Sequence, residues 1–210
     1  TQNQAFSALL FLYRYVIPKP IDFTRVVRAK TRRRLPVVLS REEVRAILDR
    51  LHGKHWMMAV LLYGAGLRVL ECLRLRVKDV DFHSRQLIVR SGKGDRDRRA
   101  LLPRRLHEPL LEHLEQVREQ HEKDVERGRG WVELPLAIRR KYPTAGKSWP
   151  WQWIFPAASH YTDRETGERR RHHYHESALQ RVIKAAVTDA GIAKNATPHT
   201  FRHSFATHLL

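Results

Sequence analysis

The chain has 210 residues, enough to bury a sizeable core in one domain or two. Its 40 Lys and Arg against 22 Asp and Glu leave a formal charge of +18, which a soluble domain sustains best when a polyanion answers it, so nucleic acid is the expected partner. No apolar run approaches the roughly 20 residues of a membrane span, no lipidation signal or basic amphipathic helix points to a lipid surface, and the single cysteine, Cys72, excludes an internal disulfide.

The first predicted element is a helix over "TQNQAFSALLFLYRYV", ended by the prolines of "IPKPID". The pattern starts inside an amphipathic repeat and residue 1 is not Met, so the chain is expected to be a fragment. "FTRVVRAKTRRRLP" is basic and without apolar period, as in a linker. A new unit opens at "LSREEVRAIL", where Ser40 and Glu43 have the spacing of a capping box. "HWMMAVLLYGAG" reads as an apolar helix broken by Gly64 and Gly66, with a short helix resuming at "RVLECLRL".

"VKDVDF", "QLIVRSG" and "RDRRALLP" alternate as short strands do, the last two joined by the Gly-rich turn "SGKGDRD". A charged helix is predicted over about residues 104–127. The Pro-, Trp-, His- and Arg-rich stretch from "GRGWVELP" to "RRRHHYH" has weak periodicity. "ESALQRVIKAAVTDAG" is helical, with Ala178, Leu179, Val182, Ile183, Ala186 and Val187 on one stripe. The last predicted helix lies in "TPHTFRHSFATHLL", with Phe205, Leu209 and Leu210 expected to face the core and His203 and Ser204 to act as scaffold.

Four basic groups stand where chemistry could use them: Arg68 after "YGAG", Lys93 between two glycines, and His199 with Arg202 three positions on. Glu71 lies one helical turn after Arg68, placed to steady a neighbour. Together such cations suit a phosphate whose charge grows during reaction. Taken singly each is an ordinary surface residue, and His199 with His203 has the spacing of a zinc pair. No Glu stands between those histidines and no third ligand is evident.

"LLYGAGLRVLECLRLRVKDVDF", "IVRSGKGDRDRRALLP" and "TPHTFRHSFATHLL", in that order, resemble the catalytic domain of tyrosine recombinases of the phage-integrase type. The resemblance implies an α+β, mainly α-helical fold with a small antiparallel sheet. It matches Arg68 to the first catalytic arginine, Glu71 to its acidic companion, Lys93 to the hairpin lysine, and His199 and Arg202 to the His-x-x-Arg pair, with Phe201 where Leu is more usual. The family makes a 3′-phosphotyrosine bond with DNA and needs neither metal nor other cofactor, because the ester energy is kept. Its nucleophilic Tyr is expected downstream of "HLL", so tyrosines 13, 15, 63, 142, 161 and 174 match no nucleophile position and the fragment is expected to bind DNA without cleaving it. A plain DNA-binding module is the alternative.

The stretches "LPLAIRRKYPTAGKSWPWQWIFP" and "ERRRHHYHESALQRVIKAAVTDAGI" resemble the extra segment of integron integrases, placed at about 128–175. The implied organisation is the end of an N-terminal core-binding domain over 1–22, a basic linker over 23–35 and a catalytic domain over 36–210. It also implies a bacterial cytoplasmic, DNA-associated protein that recombines gene cassettes as a synaptic tetramer, on duplex attachment sites and folded single-stranded cassette sites. The DNA-binding candidates are Lys93, Trp149, Trp151, Trp153, Arg169, Arg170, Arg171, His172 and His173. The tryptophans stand at alternate positions, which fits one face of a buried strand as well as a surface for stacking bases. The His/Arg run equally fits a solvated basic loop.

Overall fold

The computed structural model describes residues 2–17, 35–90 and 97–210. The expected linker and Lys93 therefore lie outside the described residues, apart from Leu35. The chain divides into two units, 1–35 and 36–210. In the first, α1 (Gln2–Tyr15) buries no residue, and Leu9, Phe11, Leu12 and Tyr15 are exposed.

The second unit is built around α3 (Gly53–Gly64), where Met57 to Leu62 are all buried, as in a helix surrounded by protein on every side. Around it pack α2 (Arg41–Leu48), α4 (Val69–Leu73), α5 (His107–Glu126), α7 (Glu176–Asp189) and α8 (Pro198–His208). The α2 start is capped as its sequence predicts: Ser40 Oγ accepts from the Glu43 amide at 3.2 Å and Glu43 Oε2 accepts from the Ser40 amide at 2.7 Å. Lys194 then donates to Glu43 Oε2 at 2.7 Å and to the Val38 carbonyl at 3.0 Å, tying the segment before α8 to the start of the unit. The α7 stripe buries Leu179, Ile183, Ala186 and Val187.

Strands β1 (Val80–Asp81), β2 (Gln86–Val89) and β3 (Arg98–Leu101) form an antiparallel sheet in that order. Leu87 and Val89 of β2 point into the core. The fold is α+β and mainly helical, with this small antiparallel sheet, as the sequence implies.

Weak periodicity concealed a second hairpin, β4 (Pro156–Thr162) with β5 (Arg169–His173), and a short helix α6 (Leu136–Lys141). β5 reads as loop because its inward residues are charged. Arg170 is buried against Asp163 and Glu168, each at 2.7 Å, and Arg171 is buried against Asp124 at 2.6 Å. The tryptophans are not one face of a strand: Trp149–Trp151 is a single tight helical turn, with Pro150 favouring it. Leu209 and Leu210, expected to face the core, are exposed because they lie past the last helical residue, His208.

Candidate functional site

Arg68 caps the start of α4 after the 64–67 turn, and that turn depends on Gly66. Gly66 has φ +60°, and a Cβ there would stand 2.5 Å from the Phe205 ring of α8. This close approach seats α8 on the turn ahead of α4 and delivers Arg202, whose Nη1 donates to the Gly66 carbonyl.

Glu71 is the hub. Its side chain is 7% exposed, and Oε1 accepts from Arg68 Nη1 at 2.5 Å. Oε2 accepts from the Arg68 amide at 2.8 Å and from Arg98 Nη2 at 2.7 Å. Arg202 Nη1 lies 3.6 Å from the same oxygen. Burial alone would raise the Glu71 pKa; the Arg68 amide and the Arg98 and Arg68 guanidiniums outweigh it and hold the carboxyl below its ordinary value. Three guanidiniums on one carboxylate leave a net positive face (Arg68, Arg98 and Arg202 against Glu71).

His199 stands on the first turn of α8, its ring 4.5 Å from that of His203. Exclusion of water by its surroundings, then the charges near it (His203, Arg202 and Arg68), lower its pKa, so the imidazole is neutral at pH 7 and can accept or donate one proton. Arg202 is likewise shifted down, first by burial and then by Arg68. The structure thus brings Arg68, Glu71 and Arg202 together, with His199 within electrostatic reach of both arginines. Arg98 was missed. Its only signal was an arginine at a strand position whose side chain turns toward α4.

A groove of about 610 Å³ leads from Arg68 and Glu71 past Arg74, Arg76 and Lys78 to Trp151. Lys78 Nζ lies 2.9 Å from the centre of the Trp151 ring. Burial, with Arg90 and Arg76 nearby, lowers the Lys78 pKa to about 8 against the opposing pull of Asp79. Arg76 donates to the carbonyls of Trp151 at 2.6 Å and Glu133 at 2.7 Å, and its guanidinium lies 3.7 Å from the centre of the Trp153 ring. Its pKa falls to about 10, chiefly through burial.

The remaining DNA-binding candidates separate by burial. Trp153 is a core residue whose indole donates to the Arg171 carbonyl at 3.1 Å. Arg170, Arg171 and His173 are buried too. Arg171 spends its guanidinium on Asp124 and on the carbonyls of Ala157 and Ala158, and His173 Nδ1 bonds the Tyr174 carbonyl at 2.8 Å. These four side chains are thus engaged inside the protein, and the two arginines find carboxylates there, as a charge taken from water must. Arg169 is exposed, while Trp149, Trp151 and His172 are part-buried. Among the described residues no cluster of three or more His, Cys, Asp or Glu is placed to hold a metal ion, so His199 and His203 stand as a pair without a third ligand.

Comparison with known proteins places these features. Residues 37–210 match the phage integrase family. An integrase/recombinase of Escherichia coli is 50% identical over 211 residues, covering 100% of this chain and 63% of that protein, so the chain spans a little under two thirds of that relative's length. Two solved structures share the fold. The XerH site-specific recombinase bound to its difH substrate in a pre-cleavage complex has a TM-score of 0.57 at 21% identity, covering 99% of this chain and 53% of that one. XerA recombinase has a TM-score of 0.53 at 24% identity, covering 99% and 60%. Among the described residues no helix is long and apolar enough to cross a membrane.

Proposed function

Since the chain belongs to the phage integrase family, we propose that it carries the phosphate-activating half of a site-specific DNA recombinase. The observation that carries the reading is the convergence of Arg68, Arg98 and Arg202 on Glu71 with His199 beside them. In this reading Arg68 and Arg202 hold the non-bridging oxygens of a scissile phosphate. Their charge balances the extra negative charge of the pentacoordinate transition state, and no metal is needed. His199, neutral at pH 7, hydrogen-bonds the phosphate or moves a proton. Lys93 supplies the proton to the leaving 5′-oxygen, and a tyrosine hydroxyl makes the 3′-phosphotyrosine bond.

None of the six tyrosines is proposed as that nucleophile. Tyr63 and Tyr174 have their hydroxyls bonded to His208 and His55, each at 2.8 Å. Burial raises the pKa of Tyr161 and Tyr174, opposite to what attack requires. In this reading the 210 residues bind DNA without cleaving it. The test is a nicked suicide substrate, on which a covalent protein–DNA adduct formed by these 210 residues would overturn the reading.

We further propose the integron integrase subgroup, with the segment at about 128–175 recognising bases extruded from a folded single-stranded cassette site. The groove that joins Arg68 to Trp151 supports it, since a phosphate contact and an aromatic face then share one opening. The whole recombinase would act from the bacterial cytoplasm as a synaptic tetramer.

A further inference from the structure

The two oxygens of Glu71 are shared unequally. Oε2 already holds the Arg68 amide and Arg98 Nη2, at 2.8 and 2.7 Å. Arg202 Nη1, at 3.6 Å, is outside hydrogen-bond range and donates instead to the Gly66 carbonyl. A carboxylate oxygen accepts about two strong hydrogen bonds, so Arg98 fills the place that Arg202 would otherwise take.

We infer that Arg98 is a positioning residue of the phosphate site: by saturating Glu71 Oε2 it keeps the Arg202 guanidinium free for an incoming oxyanion. The inference rests on the phosphate-site reading proposed above. It draws on three separate elements, since Arg68 and Glu71 belong to the α4 segment, Arg202 to α8 and Arg98 to β3. Arg98 is placed by the sheet. It pairs across the ladder with Val89, which is 1% exposed, so its backbone is anchored in the core independently of the other arginines. Without Arg98, Glu71 Oε2 would keep the Arg68 amide and have one acceptor place open to the Arg202 guanidinium, 3.6 Å away. The carboxylate would then compete with phosphate for Arg202.

The test is a cycle of variants of this chain titrated with inorganic phosphate and read by ³¹P NMR, with thermal midpoints measured alongside. Arg98→Ala should weaken phosphate binding about fivefold when Glu71 is present, and less than about twofold in a Glu71→Gln background, where no carboxylate competes. Arg98→Lys, which keeps a donor of shorter reach, should fall between wild type and Arg98→Ala, and it serves the same comparison if Arg98→Ala does not fold. Equal losses in both backgrounds would mean that Arg98 touches the anion itself or only supports the fold, and no loss in the wild-type background would mean that it does not position Arg202. Either result overturns the inference. Arg68→Ala separates the two layers, because unchanged phosphate affinity in that variant would remove the phosphate site itself, whatever Arg98 does.

Discussion

Arg202 and Gly66 are 136 positions apart and meet through one hydrogen bond, guanidinium to backbone carbonyl. The contact exists because Gly66 takes a left-handed conformation and lets the Phe205 ring close over it. Gly66→Ala should cost about 2–4 kcal/mol, from the strained φ and the clash with Phe205 together. Urea unfolding measures the loss. DNA affinity should fall more than in a core variant of equal stability, because Arg202 loses its rest.

The pair Asp124–Arg171 fastens β5 to α5, with both side chains close to nine-tenths buried and His160 Nε2 at 3.2 Å from the other Asp124 oxygen. Arg171→Met leaves a carboxylate with little compensation and should destabilise by about 3 kcal/mol. Adding Asp124→Leu should restore most of that stability. A double variant as unstable as the single one would show that the hydrogen bonds of Arg171 to Ala157 and Ala158 matter more than its charge.

Neighbouring residues of the Trp/His segment should divide into two phenotypes. Trp151→Ala and His172→Ala should weaken binding to a bulged hairpin by about tenfold, as expected for one lost base stack, and affect plain duplex less. Trp153→Ala should chiefly destabilise, by about 3–5 kcal/mol. Gel-shift titrations on both substrates, with melting curves, distinguish these outcomes. Equal losses on hairpin and duplex would remove the base-recognition role.

His173 gives the protein a measurable acid sensitivity. Burial, offset in part by its bond to the Tyr174 carbonyl, pushes its pKa down to about 4. The unfolded side chain titrates near 6.5, so the folded state binds fewer protons between these values. The contribution is complete above about pH 6.5 and is lost as pH falls toward 4. At pH 5 wild type should have lost up to about 2 kcal/mol through this residue, a loss that His173→Phe does not show. Parallel stability-versus-pH curves for the two proteins would contradict the assignment.

Much of the fold is local and was legible. The box of Ser40 and Glu43, the α7 stripe and the three strands around the Gly-rich turn all follow from neighbours within a few residues. The β4–β5 hairpin was not legible, since a strand containing Arg170 and Arg171 looks solvated until Asp163, Glu168 and Asp124 are seen around it. Trp153 and Trp151 are two residues apart and both border the groove, yet Trp153 is buried and Trp151 only half-buried.

Residue spacing put Arg68 with Glu71 and His199 with Arg202 each on a shared edge, one helical turn apart, and the family resemblance singled them out with Lys93 as phosphate-site candidates. Only the tertiary structure decided that these edges face each other, that Arg98 joins them, and which cations of the 169–173 strand are spent inside. Periodicity reports which side of an element turns inward. It carries no information about the charge that waits there, and the buried pair of Asp124 with Arg171 joins two residues that neither helix nor strand period connects.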